Sequence, residues 1–246
     1  DHRSHLRCEV PDESAWELFQ ELAPQPPVRL VSLNDHTPHQ RQWTNIEAFK
    51  RYHGDKNWSA QDLEELIAEK LRIQRRVAPV NRHRIARFCQ ARNLPLATHD
   101  DTIPEHVVQA KAEGATISEF PTTLEAAQEA RVRGMVIVAG APNVVQRGSH
   151  SNNVSVRDLA EKGLLDVLSS DYVPGSLIHA VFILHQDLGL GLAQAAAMAT
   201  VNPAQMVGLD DRGSLKPGNL ADLIRVRLIN DLPVVIGVWR AGVKVF

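Results

Sequence analysis

Short apolar runs alternate along most of the chain with longer segments of helical periodicity. The runs at 6–10, 28–34, 96–99, 116–119, 135–139 and 165–169 are brief and almost wholly apolar, the pattern of strands covered on both faces. Between them the spacing predicts helices over 14–22, 60–93, 104–113, 123–133 and 156–162, with Pro79 the point at which the second would break. Leu177, Val181, Leu184 and Leu188 recur at helical spacing and form one stripe. Repeating strand and helix units predict a parallel sheet with helices outside it. Six strands fall short of the eight that close a (β/α)8 barrel, so the sheet is open or strands precede Asp1. After Asn202-Pro203 the texture changes: 221–226, 234–239 and 243–246 read as short strands joined by the turn pairs Asn230-Asp231 and Ala241-Gly242. A barrel portion over 1–204 and a small β portion over 205–246 are therefore expected.

Composition narrows the function classes. The 246 residues carry 27 Lys+Arg against 29 Asp+Glu, a net charge of -2, which leaves no basic excess for binding nucleic acid through its backbone. Arginines 72, 75, 76, 82, 84 and 87 have no interleaved aromatics and read as a solvated helix surface. No apolar run reaches the roughly 18 residues of a membrane-spanning helix, and no membrane partner is expected. Cys8 and Cys89 lack CxxC spacing, which argues against a disulfide framework or a thiolate zinc site and points to a reducing cytoplasm. The chain opens on Asp1-His2-Arg3, with neither Met nor a signal sequence, and reads as starting within a longer protein. A homo-oligomer is compatible with all of this. Eleven histidines direct attention to metal and acid–base chemistry.

In parallel α/β folds the functional groups gather where strands end. Glu9 ends the first run, Asp35-His36 the second, His99-Asp100-Asp101 the third and Asp171 the last. Carboxylates and imidazoles at four strand ends are the donor mix that holds zinc or a similar divalent ion. Asp101 with Glu105 also reads as a cap for the helix that begins at Pro104. A second group, Gly140-Ala141-Pro142-Asn143 and then Gln146 to Asn153, combines glycine, amides, hydroxyls and Arg147, and reads either as a nest for phosphate oxygens or as a polar surface loop. Arg41 and Lys111 read either as further contacts for anions or as residues that serve solubility, and Tyr172 and Trp43 are candidates for a pocket wall or for core packing.

Thr200-Val201-Asn202-Pro203-Ala204, Gly208-Leu209, Gly213-Ser214-Leu215-Lys216-Pro217-Gly218 and Ala221-Asp222-Leu223 resemble the closing signature of the metal-dependent amidohydrolase superfamily. The runs around Glu9, His36, His99, Glu119, Gly140 and Asp171 are similar to a branch of it, the diphosphatases of bacterial phosphonate degradation. The resemblance implies a (β/α)8 amidohydrolase-type barrel, incomplete at its N-terminal side, with a small C-terminal β-sandwich portion. It implies Glu9 as a carboxylate bridging metals, His36 and His99 as ligands, and Asp171 as both ligand and proton acceptor. Arg41, Asp100, Asn143, Ser149, His150 and Tyr172 would bind substrate. The cofactor would be one or two divalent ions, zinc or else manganese or iron. The substrate would be a ribose bearing a 5-triphosphate and a 1-methylphosphonate, cleaved to the 5-phosphate and pyrophosphate. An N-acyl sugar deacetylase or cyclic amidase, or a non-catalytic remnant, are the alternatives. The family's His-x-His pair has no counterpart here, so less than two equivalents of metal and no turnover are expected of residues 1–246 alone. Members usually carry glycine at the position of His39 and a glycine-rich run at Gln146, Arg147 and Asn152.

Overall fold

The computed structural model describes residues 2–44, 59–148 and 153–246. They fall into two compact units: 2–44 and 59–137 with 153, and 138–148 with 154–246.

In the first unit, β1 (Ser4–Glu9), β2 (Val28–Asn34), β3 (Leu96–His99) and β4 (Ile117–Glu119) lie parallel in sequence order. Register aligns Glu9 with Asn34 and His99 with Glu119, which brings the polar strand ends to one level. Val31, Leu33, Ala97 and Ile117 are essentially inaccessible, as the near-continuous apolar runs require. Helices α1 (Ala15–Leu22), α2 (Ala60–Ala91), α3 (Pro104–Ala112) and α4 (Leu124–Val132) connect or flank these strands. α2 starts at a capping box: the Asp62 N–H donates to Ser59 Oγ at 3.1 Å while the Ser59 N–H donates to Asp62 Oδ2 at 3.0 Å.

α2 departs from expectation twice. It runs unbroken through Pro79, because Pro79 and Arg75 lie on the exposed side, where water can take the carbonyl that proline leaves unpaired. Its arginines are also not uniformly solvated. Ala78, Asn81, Arg82, Ile85, Ala86 and Cys89 form one buried stripe at helical spacing, and Arg82 on it grips Glu113 with two bonds of 2.6 and 3.1 Å. Arg84 lies over the Trp16 ring at 5.8 Å, and Arg76 pairs with Glu13. The same helix braces strand ends: Asn81 Nδ2 donates to the carbonyls of Val10 and Asp12, and Gln74 Nε2 donates to Asp35 Oδ2 at 2.9 Å.

β5 (Val136–Gly140) carries the chain from the first unit into the second, where it pairs in parallel with β6 (Val167–Ser169). The helices here are α5 (Ala141–Gln146), α6 (Val156–Glu161), α7 (Ser176–Gln186), α8 (Leu192–Ala197) and α9 (Val201–Met206). α7 holds Leu177, Val181 and Leu184 of the expected stripe, the last two buried, whereas Leu188 lies beyond its end. α5 occupies the start of the segment that the sequence offers as a nest or a surface loop: Pro142 lies in its first turn, and Asn143 Oδ1 accepts from the Val156 N–H at 2.9 Å, which ties it to α6. Asn202 Nδ2 donates to the Asp166 carbonyl at 2.8 Å, so the Asn-Pro signature anchors the start of β6. Gly213, at φ +84, passes so close to α9 that a Cβ would sit 2.6 Å from Val201 Cα. The unit ends in an antiparallel sheet of β7 (Leu223–Ile229), β8 (Leu232–Arg240) and β9 (Val243–Lys244). Asn230-Asp231 and Ala241-Gly242, all at positive φ, make the two-residue turns expected of them. Among the described residues no helix is long and apolar enough to cross a membrane.

Candidate metal centre

Among the described residues, His36, His99 and Asp100 form the one group able to offer three ligand atoms to a metal ion, all within 4.8 Å of one another. Each sits at a strand end for a local reason. His99 is the last residue of β3, and Asp100 follows at φ +56, a left-handed conformation that aspartate tolerates better than most residues. His36 follows β2, whose exit is fixed by an Asx turn in which the Thr37 N–H donates to Asp35 Oδ1 at 3.1 Å. Phe120, also left-handed at φ +54, lays its ring against His99 with centroids 5.3 Å apart.

Glu9 stands behind His36. Its Oε2 is 2.5 Å from His36 Nδ1 and its Oε1 accepts from the His36 N–H at 2.7 Å, so His36 is held by both ring and backbone. That leaves Nε2, 3.7 Å from Asp100 Oδ2, as the nitrogen facing the group. His99 Nδ1 is buried and lies 2.8 Å from Asp100 Oδ2, an ion-pair contact in which no hydrogen bond is formed. Burial opposes charge on His36, yet Asp100 and Glu9 outweigh it and hold its pKa at about 9. Burial likewise opposes ionisation of Asp100, and its contacts with His36 and His99 overcome that, bringing it to about 2. A buried imidazole nitrogen that makes no hydrogen bond, in contact with an ionised carboxylate and near a second imidazole, fits a divalent cation in both charge and donor type.

The other residues read from the sequence fall in several places. Arg41 is buried and ion-paired to Asp101, and its Nη1 also donates to the His99 carbonyl at 2.8 Å. Asp101 therefore does not cap α3: Arg41 and Thr98 claim its Oδ1, and Ile103 takes the cap position without a side-chain bond. Trp43 is buried, whereas Tyr172 is exposed. Asp171 is an exposed residue of the second unit, at φ +48, and its N–H donates to Ser169 Oγ at 3.3 Å. Ser149, His150 and Asn152 lie outside the described residues. His39 and Arg147, where glycine was expected, keep a glycine-like backbone at φ +66 and +61. Cys8 and Cys89 are free and buried, and burial pushes both thiols up to about 12.

Sequence reasoning missed Arg7 and Glu119. Arg7 Nη2 is 3.1 Å from His99 Nε2, and Glu119 Oε2 is buried without a hydrogen-bond partner 3.9 Å from the same nitrogen. The available signal was alternation: His5, Arg7 and Glu9 are every second residue of β1 and so share a face.

The profile described as Amidohydrolase family matches residues 74–245. The alpha-D-ribose 1-methylphosphonate 5-triphosphate diphosphatase of Escherichia coli (strain K12) is 43% identical over 249 aligned residues, covering 100% of this chain. The chain spans 66% of that relative's own length. Among solved structures, an amidohydrolase from Thermotoga maritima MSB8 superposes with a TM-score of 0.54 at 20% identity, covering 98% of this chain and 62% of its own. A dihydropyrimidinase from Brevibacillus agri NCHU1002 superposes with a TM-score of 0.57 at 12% identity, covering 100% and 69%.

Proposed function

The chain belongs to the amidohydrolase family, and from that premise we propose that it serves the hydrolysis of alpha-D-ribose 1-methylphosphonate 5-triphosphate to the 5-phosphate and pyrophosphate. The observation that carries the reading is the 43% identity over the whole chain to a diphosphatase of that substrate. The fold divides, in this reading, into a barrel portion over 1–204 and a β-sandwich portion over 205–246. The compartment is the cytoplasm.

His36, His99 and Asp100 would hold a divalent ion, zinc in the first instance and manganese or iron otherwise, with Glu9 and, by the sequence match around it, Asp171 the carboxylates that extend the set if two ions bind. When bound, such an ion supplies Lewis acidity, which lowers the pKa of water toward about 7 and draws charge from phosphoryl oxygens. Glu9 fixes the His36 ring so that Nε2 faces inward. Asp171 accepts the proton of the attacking water, an assignment that rests on the sequence match around it. Asn143, Ser149, His150 and Tyr172 contact the substrate. Arg41, already paired with Asp101, is assigned to holding the end of β3.

The test is a pyrophosphate-release assay, with zinc or manganese, on a version of the protein that carries the family's His-x-His pair, run beside amide and N-acetyl sugar substrates, residues 1–246 alone being expected to show no turnover. Sustained pyrophosphate release from the ribose 5-triphosphate is expected. Cleavage of an amide without pyrophosphate release would assign the chain to another branch of the family, and inactivity on all of them would favour a non-catalytic role.

A further inference from the structure

The peptide that joins His99 to Asp100 links two of the three residues of the centre, so its orientation aims both side chains at once. It is held on both sides: the Asp100 N–H donates to the Glu119 carbonyl at 3.0 Å, and the His99 carbonyl accepts from Arg41 Nη1 at 2.8 Å. The grip matters because Asp100 sits at φ +56, where a residue other than glycine stays only if its surroundings hold it.

Arg41 comes from the neighbouring strand's exit. It stands five residues after His36, in a loop closed on itself by the His39 N–H donating to the Trp43 carbonyl at 2.9 Å and the Gln40 N–H to the Thr37 carbonyl at 3.0 Å. His39 and Arg41 are both left-handed in that loop, at φ +66 and +45. Arg41 is only 5% exposed, and the same Nη1 donates to Thr98 Oγ1 at 3.3 Å and pairs with Asp101, whose Oδ1 also accepts from Thr98 Oγ1 at 2.9 Å. Thr98 and His99 are successive residues of β3 and face opposite sides of the sheet, so Arg41 reaches the strand end from the side opposite the His99 ring.

We propose that Arg41 is a positioning residue of the metal centre: it clamps the His99–Asp100 peptide and, through the closed loop behind it, sets the separation between His36 after β2 and the pair at the end of β3. The inference rests on the metal-centre reading, is independent of the substrate, and replaces the substrate contact that the family resemblance implies for Arg41.

The experiment titrates the chain, first stripped with chelator, with zinc by calorimetry and with cobalt, whose visible absorption reports the geometry of its ligands. Arg41→Met alone leaves the Asp101 carboxylate buried and unpaired, which threatens folding. Arg41→Met combined with Asp101→Asn removes both charges and still loses the hold on the His99 carbonyl. That double variant, folded by circular dichroism, should bind zinc about 10- to 100-fold more weakly, the scale for losing an outer contact of a ligand set, and its cobalt spectrum should shift. Arg41→Lys, whose ammonium can serve all three acceptors from one nitrogen, should recover most of that loss. Arg82→Ala, which loosens the same unit elsewhere, should leave zinc affinity within about two-fold and the cobalt spectrum unchanged. Absence of zinc and cobalt binding by the wild-type chain overturns the centre and this proposal together. A folded double variant that binds zinc within about two-fold of wild type, with an unaltered cobalt spectrum, overturns the proposal alone. So does an equal loss in Arg82→Ala, which would reduce the effect to stability.

Discussion

The end of β3 and the end of β6 present acidic side chains after similar short strands, yet the chain treats them differently. At β3, His99, Asp100 and Asp101 are buried, and each is held or approached by a side chain from another element: Arg7 from β1, His36 after β2, Arg41 from the loop beyond it. At β6, Asp171 is exposed, and the strand is secured through its backbone by Asn202 at one end and by the Met198 carbonyl at Leu168. Burial makes the first arrangement expensive unless every charge is matched, so its partners are specified by identity and distance. Exposure leaves Asp171 free of that requirement. A buried strand end therefore shows its chemistry in its own wiring, whereas an exposed one shows mainly where the backbone delivers it.

The largest effect should come from the bracing of the first unit. Arg82→Ala leaves Glu113 without the guanidinium that grips it, with the two side chains only 6% and 20% exposed. A loss of about 3 kcal/mol in urea unfolding is expected, the lower end of the range for breaking a buried pair. Arg72→Ala, which removes an exposed pair with Glu69, should produce no measurable change. A loss below about 1 kcal/mol for Arg82→Ala would mean that this pair behaves as a surface contact, and that α2 does not brace α3 through it.

The next comparison separates the two strand ends by readout. His99→Ala removes a ligand and should lower zinc affinity by at least about 100-fold, beyond the cost of losing an outer partner. Asp171→Asn, in a version that also carries the family's His-x-His pair, should lower the rate by at least about 100-fold if that residue is the proton acceptor, while zinc affinity changes far less. Parallel calorimetry and pyrophosphate assays decide the matter. Equal losses of affinity in the two variants would place Asp171 among the ligands on which binding depends, and a rate within a few-fold of wild type would remove it from the chemistry.

These expectations also mark what was readable in the residues. All six parallel strands are legible within two residues or so, because both-face burial leaves near-continuous apolar runs such as 28–34 and 96–99. The two-residue turns at Asn230-Asp231 and Ala241-Gly242 are equally legible, since few residue pairs accept positive φ twice in succession. α5 was hidden because Gly-Ala-Pro-Asn is loop-like in composition, and only the placing of Pro142 in a first turn reveals a helix. At the site, position after a strand identifies His36 and His99, but the direction in which each ring is held depends on residues from other strands. Arg7 shares the alternation of β1 with Glu9, but Glu119 becomes visible only when register sets His99 opposite it, and no local pattern encodes that pairing. Asp101 illustrates the reverse error: its spacing from Pro104 suits a cap, and a buried arginine from 60 residues earlier outcompetes it.

The smallest effect tests the electrostatics of the buried end itself. In protein stripped with chelator, the pKa of His36 is raised, so its paired, protonated form stabilises the fold fully below the ordinary value near 6.5, and that contribution is lost as pH rises through about 9. Asp100 has the opposite sign: lowered to about 2, it contributes above its ordinary value near 4 and is lost only in strong acid. At pH 7 His36 is therefore protonated and Asp100 ionised, and a metal taking His36 Nε2 must displace a proton, whereas Asp100 releases none. Zinc uptake at pH 7 should release close to one proton from His36, and apparent affinity should rise with pH until about 9. Calorimetry in two buffers of different ionisation enthalpy measures that number directly. A value near zero at pH 7 would show that His36 is already neutral, and that Glu9 and Asp100 do not hold its proton as their contacts with the ring imply.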